Sequence, residues 1–202
     1  PENVKMIFDK LSSEGHEAVI IGGCVRDSIM GIEPHDWDIA TSAQPEEIME
    51  CFKHYNLMKA GLKHGTVTVI IDHEPYEITT YRIDGEYSDH RRPDSVDFTC
   101  DLAEDIMRRD FTINAIAYDG ENIIDLHDGI GDLQKGIIRC VGNANARFRE
   151  DPLRILRAIR FAARFGFDIE ESTKKAMFDN CDMLRLIATE RTQSEFTKTL
   201  CS

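Results

Sequence analysis

Residues 22–27 read Gly-Gly-Cys-Val-Arg-Asp and residues 36–38 read Asp-Trp-Asp, and this stretch decides the fold of the chain. The glycines end a β-branched apolar run at residues 18–21, which predicts a buried strand, and residues 25–30 predict a helix. A strand, a glycine turn and a helix together present backbone N–H groups to an anion, and Arg26 adds a permanent positive charge. Taken alone, the same pattern also fits an ordinary connection between a strand and a helix.

Two aspartates one residue apart favour the functional interpretation. Alternate residues of a strand point to one face, so Asp36 and Asp38 are predicted to lie side by side, with Trp37 and Ile39 toward the core. Carboxylate oxygens suit Mg²⁺, and two such ions can activate an attacking hydroxyl and stabilise a leaving pyrophosphate. The alternative is a pair of solvated aspartates on an edge strand.

The two motifs together, G-G-x-V-R-D and D-x-D, resemble the signature of the class II tRNA nucleotidyltransferases, the CCA-adding enzymes. Bacterial poly(A) polymerases share this signature, and both groups are similar to the polymerase-β-like nucleotidyltransferase superfamily. The resemblance implies an α+β fold, in which a head with a mixed sheet and helices precedes an all-helical neck. We expect the head at residues 1–139 and the neck at residues 140–202, with no clear strand after Val141. Family members carry further body and tail domains, so the chain is expected to stop before them.

Residues 108–115, Arg-Arg-Asp-Phe-Thr-Ile-Asn-Ala, match a second family motif almost completely. An aspartate can accept a hydrogen bond from a ribose hydroxyl, and arginines can bind phosphate with two parallel hydrogen bonds. We therefore predict that Asp110 binds the ribose and that Arg109 and Asn114 belong to the nucleotide site. Residues 125–133 match a third motif loosely, with Asp128 where the family usually has glycine, and indicate a turn and a hinge.

Residues 150–154, Glu-Asp-Pro-Leu-Arg, match a fourth motif. On a helix Asp151 and Arg154 would be neighbours on one face, where they could imitate the Watson–Crick edge of a template base. By the resemblance, they select C and A without a nucleic-acid template; a plain salt bridge with helix capping is the alternative. Further arginines continue the same face and are expected to meet triphosphate or the tRNA backbone, unless the face is simply solvated: Arg157, Arg160 and Arg164. Residues 189–196 resemble the family's last helical motif, which braces the neck.

Two alternating β-branched runs at residues 66–71 and 75–82 predict a hairpin. Glu77 lies in the second run and could be a third carboxylate near the metal ions, as the family has an acidic residue there; a solvent-facing glutamate is as good an interpretation. The polar residues 83–97 predict a long loop, which resembles a flexible family loop implicated in adding the terminal A.

Composition fits a soluble globular protein, with 42% hydrophobic and 30% charged residues among 202. No apolar run approaches the 18 or so residues of a membrane span, and no signal region opens the chain. The six cysteines lack zinc-site spacing and predict free thiols in a reducing compartment, hence the cytoplasm. The net charge of −13 is unfavourable for RNA binding, but residues 139–166 contain seven arginines and two acids.

These observations together predict a template-independent enzyme that adds C and A from CTP and ATP to the 3′ end of tRNA, with two Mg²⁺ ions. Three alternatives stay open: an enzyme that adds only A or only CC, a poly(A) polymerase, and a non-catalytic nucleotide-binding module. The predicted catalytic residues are Asp36, Asp38 and Glu77, the first two as metal ligands. The predicted nucleotide-binding residues are Gly22, Gly23, Arg26, Arg109, Asp110, Asn114, Asp151, Arg154, Arg157 and Arg160.

Overall fold

The computed structural model describes residues 1–85, 87 and 95–201, and the chain divides into two compact units. The first unit consists of residues 1–83, 96–106 and 116–126. The second consists of residues 107–115 and 127–202 together with the described part of 84–95. Helices and a mixed sheet confirm the predicted α+β class. The expected division into a head at 1–139 and a neck at 140–202 stays a prediction.

The first unit contains the long sheet and the helices that cover it. Its helices are α1 (Glu2–Ser13), α2 (Gly23–Ile29), α3 (Pro45–Cys51) and α4 (Leu102–Met107). Its strands are β1 (Ala18–Ile21), β2 (Asp38–Thr41), β3 (Asn56–Met58), β4 (Thr66–Ile71), β5 (Glu74–Thr80), β6 (Arg82–Asp84), β7 (Val96–Phe98), β8 (Ile116–Tyr118) and β9 (Ile123–Asp125). The strand order is β3-β4-β5-β2-β1-β8-β9, while β6 and β7 form a small separate sheet.

One parallel pair makes the long sheet mixed. Strands β2 and β5 run parallel, whereas their other neighbours pair antiparallel. The predicted hairpin is confirmed as β4 and β5, joined through Asp72 and His73 at φ +51° and +69°. Positive φ at both turn residues matches the twist that two-residue hairpin turns require.

The two faces of the sheet differ in polarity, as the alternation of β4 predicts. Val67, Val69 and Ile71 are buried, while Thr66, Thr68 and Ile70, which alternate with them, are half-buried. Apolar residues of α1, of α3 and of the cap that follows α3 are fully buried in the same unit, among them Ile7, Leu11, Ile48 and Phe52. Burial on one face leaves the opposite, polar face available for chemistry.

The second unit is mainly helical. It contains α5 (Gly129–Lys135), β10 (Ile137–Ile138), α6 (Ala144–Glu150), α7 (Leu153–Phe165), β11 (Asp168–Ile169), α8 (Glu171–Asn180) and α9 (Thr189–Leu200). Short 3₁₀ turns cover Thr112–Asn114 and Cys181–Leu186. Its core packs Phe111 edge-to-face against Phe161, with ring centroids 5.9 Å apart.

The expectation that no strand follows Val141 is wrong. Strand β11 pairs in parallel with β10. Gly166, at φ +67°, ends α7 and turns the chain back, so that the Asp168 N–H donates to the carbonyl of Gly136 at 2.8 Å. A two-residue strand is too short to give a periodic pattern, which is why the sequence did not reveal it.

Two further expectations are met. All six cysteines are free thiols. Among the helices of the described residues, none is both long enough and apolar enough to cross a membrane.

Candidate active site

The glycine turn of the first unit depends on Gly22. Its backbone has φ +93° and ψ −132°, a conformation that side-chain-bearing residues rarely adopt. The Gly22 N–H donates to the carbonyl of Ile116 at 3.1 Å, which ties the turn to β8. Helix α2 starts at Gly23, two residues earlier than the predicted helix. The strand, the turn and the helix therefore follow one another as predicted.

Arg26 is buried rather than presented on the surface. The side chain is 4% exposed, and its Nε and Nη2 atoms lie 2.8 and 2.7 Å from Oδ1 of Asp27. A buried guanidinium needs such a counter-charge, because an unpaired charge away from water is very costly. If Arg26 contacts phosphate as predicted, it does so while its guanidinium is paired with Asp27.

The predicted carboxylates of the sheet meet in two adjacent strands. Asp38 and Glu77 are direct register partners in the parallel pair of β2 and β5, and Thr68 of β4 is the partner of Glu77. Residues in register share a face, so Thr68, Glu77 and Asp38 form a row across three strands. Both acids are exposed. Glu77 therefore lies beside Asp38, as its interpretation as a third carboxylate near the metal ions requires.

Asp36 does not share a strand with Asp38, and that part of the prediction is wrong. Strand β2 begins at Asp38, so Asp36 lies in the preceding connection. The reason is the glycine turn: β1 ends at Ile21, and its register with β2 stops at the Ile20–Ile39 pair. Residues before Asp38 therefore have no partner in β1. Asp36 is exposed, and Ile39 is buried as predicted.

The donor chemistry of this stretch fits Mg²⁺, because carboxylate oxygens are the ligands this hard cation prefers. No three His, Cys, Asp or Glu side chains within the described ranges converge closely enough to hold a metal ion. Asp36, Asp38 and Glu77 are thus candidate ligands by their chemistry rather than by their convergence, and of the three Asp38 and Glu77 are register partners.

A cavity of about 1290 Å³ lies in the same unit. Trp37, which separates the two aspartates in sequence, lines it together with Phe8, Ile29, Tyr118 and Ile123. Trp37 is half-buried in this cavity, so the prediction that it faces the core is met only in part.

In the second unit, Asp110 is the centre of a tight hydrogen-bond cluster. Its Oδ2 accepts from Nε and Nη2 of Arg157 at 2.9 and 2.6 Å. Its Oδ1 accepts from the Phe111 N–H at 2.8 Å and from the Asn114 amide at 3.2 Å. Burial alone would raise the pKa of the Asp110 carboxyl, but the charge and hydrogen bonds of Arg157, helped by Arg154 and Asn114, lower it to about 2. The predicted residues Asp110, Asn114 and Arg157 are therefore in contact, while Arg109 is half-buried beside Asp110 in the chain.

The sequence predicted that Asp151 and Arg154 share one helical face, and this prediction is wrong. Helix α7 begins at Leu153, with Pro152 at its cap, and Asp151 is extended at φ −141° and ψ 99°. Proline disfavours helical geometry in the residue before it, so Asp151 is pushed out of the helix. Its carboxylate instead pairs with Arg191 of α9, at 2.8 Å between Oδ2 and Nη2.

Arg154 has a different set of partners. Its Nη1 lies 2.7 Å from Glu150, and its guanidinium also donates to the carbonyls of Arg147 and Arg108 at 3.1 and 3.2 Å. Glu150 in turn pairs with Arg147. The guanidinium is thereby fixed from three sides.

The arginines of α7 that follow are held by α9. Glu195 is 5% exposed, and its Oε2 accepts from Arg160 Nε at 2.6 Å. Its Oε1 lies 3.9 Å from Arg157 Nη1. The sequence had suggested a stripe facing phosphate, but Arg157 and Arg160 each have an acidic partner within the unit. The sequence reasoning treated residues 189–196 as a brace and missed Arg191 and Glu195; their opposite charges one helical turn apart were the available signal.

Comparison with known proteins identifies the family. Residues 18–139 match the model described as the poly A polymerase head domain. Residues 166–202 match one described as the probable RNA and SrmB-binding site of polymerase A. The chain belongs to the poly(A) polymerase head family. The resemblance inferred from the motifs is thereby confirmed.

Relatives of this chain include CCA-adding enzymes. That of Oceanobacillus iheyensis is 52% identical over 193 residues, which are 95% of this chain and 48% of that protein. The crystal structure of the Bacillus stearothermophilus CCA-adding enzyme in complex with CTP is 41% identical, with a TM-score of 0.90 over 98% of this chain and 48% of that one. The Thermotoga maritima CCA-adding enzyme complexed with tRNA is 29% identical, with a TM-score of 0.81 over 99% of this chain and 47% of that one. The chain spans about half the length of these relatives.

Proposed function

We propose that this chain carries the nucleotidyl-transfer and nucleotide-selection residues of a CCA-adding tRNA nucleotidyltransferase. It adds C and A from CTP and ATP to the 3′ end of tRNA without a template and releases pyrophosphate, in the cytoplasm. The observation that carries the proposal is the register pair of Asp38 and Glu77, two exposed carboxylates on the polar face of a sheet entered through a glycine turn. The likeness to CCA-adding enzymes, one with CTP and one with tRNA, supports the choice of substrates.

The first unit supplies the chemistry of transfer. Asp36, Asp38 and Glu77 would hold two Mg²⁺ ions, which when bound would promote ionisation of the tRNA 3′-hydroxyl and neutralise the charge of the leaving pyrophosphate. The backbone of Gly22 and Gly23 lets the triphosphate approach closely, and Arg26 offsets its negative charge.

The second unit supplies nucleotide recognition. Because the pKa of Asp110 is lowered to about 2, its carboxylate stays ionised at neutral pH and can accept a ribose hydroxyl. Its four hydrogen bonds within the protein hold it in one orientation, so the ribose hydroxyl would have to share an acceptor position with one of them. Arg157 and Arg160 are cations for the triphosphate, with Arg109 next to Asp110. Arg154 and Asp151 read the base.

Base reading rests on a feature that C and A share. Cytosine carries an N4 amine and adenine an N6 amine, both hydrogen-bond donors, whereas uracil and guanine carry a carbonyl in the corresponding place. An ionised carboxylate can only accept hydrogen bonds, so Asp151 favours the two amine-bearing bases. Arg154 can only donate, and it complements their ring nitrogens.

Labelled CTP or ATP, alone and together, would be offered to the chain with Mg²⁺ and three acceptors: tRNA lacking CCA, tRNA ending in CC, and an unrelated RNA. Addition of C, C and A confined to tRNA is expected. Addition of A alone to tRNA ending in CC, of two C residues alone, or of long A tracts to any RNA would replace the proposal by the corresponding alternative. Binding of CTP and ATP without transfer would favour a nucleotide-binding module. Asp182→Asn, which changes an aspartate with an 86% exposed side chain, is the control for Asp38→Asn.

A further inference from the structure

Asp151 is held in place by a residue far away in sequence. Its Oδ1 accepts from the Leu153 N–H at 3.1 Å and from Arg191 Nη1 at 3.3 Å, and its Oδ2 accepts from Arg191 Nη2 at 2.8 Å. The Asp151 side chain is 14% exposed and that of Arg191 is 20% exposed. A carboxylate has about four acceptor positions, so one position, on Oδ2, is left over.

The backbone gives Asp151 little help in choosing its orientation. Asp151 is extended because Pro152 follows it, and it stands outside both α6 and α7. A carboxylate has broad freedom about its last side-chain torsion. The fork of two parallel N–H bonds from Arg191 removes that freedom, because a guanidinium and a carboxylate fit each other only in one plane.

We propose that Arg191 is a positioning residue for base selection: it fixes the plane of the Asp151 carboxylate, so that the remaining acceptor position points in one direction and meets only an amine. This inference rests on the proposed function, since it concerns how the same site chooses C and A. Arg191 would act on the base only through Asp151. Without it, the carboxylate would turn away from the base, and a water molecule in its place could donate to the carbonyl of uracil or guanine as readily as it accepts from an amine.

Arg154 makes the effect specific to selection. Its guanidinium is fixed by Glu150 and by the carbonyls of Arg147 and Arg108, and none of these belongs to α9. Loss of Arg191 therefore leaves the donor half of the base site in place. We expect the affinity for CTP and ATP to fall little, while the affinity for UTP and GTP rises toward it.

The test is equilibrium binding of CTP, ATP, UTP and GTP to the wild-type chain and to Arg191→Lys, Arg191→Gln and Arg191→Ala. A well-placed pair of hydrogen bonds to a base discriminates against the wrong base by about tenfold or more, so the preference for CTP over UTP should fall about tenfold in Arg191→Ala. Lysine keeps the charge but not the fork, and it should restore the preference only in part. Thermal unfolding shows which variants fold. If Arg191→Ala does not fold, the comparison is made with Arg191→Lys and Arg191→Gln.

Arg185→Ala is the matched control. It removes an arginine that pairs with Asp182 at 3.3 Å, with 84% and 86% exposed side chains. It changes the net charge by the same amount as Arg191→Ala and should leave base preference unchanged.

Two results would overturn the inference. One is an unchanged CTP to UTP ratio in folded Arg191→Gln and Arg191→Ala. The other is a uniform loss of affinity for all four nucleotides that follows the loss of thermal stability, as a purely structural role would give. A wild-type chain that binds all four nucleotides equally would instead contradict the proposed function, and the two failures are thereby distinguished.

Discussion

The acids of the two units differ in how much of their environment the protein itself provides. Asp38 and Glu77 are exposed on the polar face of a sheet, whereas Asp110 and Asp151 are 11% and 14% exposed in their side chains and are gripped by arginines. Exposed carboxylates on adjacent strands repel each other, and a divalent cation bound between them would relieve that repulsion. Asp110 and Asp151 instead pair with arginines of their own unit, Arg157 and Arg191. Substitution of these acids should therefore lower the rate of nucleotidyl transfer in the first unit. In the second unit it should lower both the free energy of unfolding and the selectivity for nucleotides.

Asp38→Asn gives the sharpest separation. We expect transfer to fall by about 10³-fold or more, because removing a charged metal ligand forfeits several kcal/mol of transition-state stabilisation. The free energy of unfolding should change by less than about 0.5 kcal/mol, since the side chain is exposed. Single-turnover incorporation and urea unfolding measure the two quantities, and turnover within tenfold of wild type would contradict the metal assignment.

Arg157→Ala should show the opposite balance. It leaves the largely buried Asp110 carboxylate without the guanidinium that donates twice to its Oδ2, and breaking such a pair costs about 3 kcal/mol of stability. Urea unfolding of the variant checks this value. The double variant with Asp110→Asn should recover part of the loss, because the stranded charge is then gone; no recovery would show that Arg157 acts through packing against Phe161, whose ring it covers at 5.4 Å.

Acid should weaken the second unit through Asp110. Its pKa is lowered from 3.8 to about 2 in the folded chain, so the folded state holds its proton less tightly than the unfolded state. The resulting stability, roughly 2 kcal/mol, is present above pH 4 to 5 and is lost as the pH falls toward 2. The difference in unfolding free energy between wild type and Asp110→Asn should shrink over that interval, and a constant difference would refute the ion pair as its source.

The smallest effect concerns a position outside both acidic groups. Asp128 has φ +56°, and a Cβ on Gly131 would lie 2.3 Å from its carboxylate. Asp128→Gly should stabilise the chain by about 0.5–1 kcal/mol, because glycine adopts positive φ without strain. Gly131→Ala should be destabilising in the wild type and much less so beside Asp128→Gly, which a double-mutant cycle by urea unfolding measures. Nucleotide preference should stay constant throughout, showing that stability of this unit and recognition are separable.

Local patterns predicted the parts of the fold that local forces set. The strand at 18–21 and the hairpin of β4 and β5 follow from β-branched alternation. A position of Glu77 near the metal site came from the family resemblance as one of two interpretations, and the parallel pairing of β2 with β5, which alternation does not reveal, makes Glu77 the register partner of Asp38. Asp36 was wrongly placed in a strand, because the first residue of β2 is set by where its pairing with β1 stops. Pairing between strands is not visible in a local sequence pattern.

Long-range partners account for the rest. Arg191 and Glu195 pair with acids and arginines 35 to 40 residues earlier in the chain, and no spacing rule connects them. Asp151 illustrates a local rule that was outweighed by another. Its three-residue spacing from Arg154 indicated a shared helix face, but with Pro152 at the cap α7 begins only at Leu153, so Asp151 lies before the helix. The loop predicted at 83–97 is too long at both ends, because β6 extends to Asp84 and β7 begins at Val96. Residues 86 and 88–94 of that loop lie outside the described residues.

Trp37 is an intrinsic fluorescent probe within the segment that contains Asp36 and Asp38. It is the only tryptophan of the chain, it stands between Asp36 and Asp38, and it is half-buried in the cavity beside Phe8 and Tyr118. Indole emission responds to the polarity around the ring, so any movement of this stretch when a cation arrives would change the intrinsic fluorescence. The unlabelled protein therefore contains a single reporter at the place where its chemistry is expected, and every variant that keeps Trp37 can be read by the same signal.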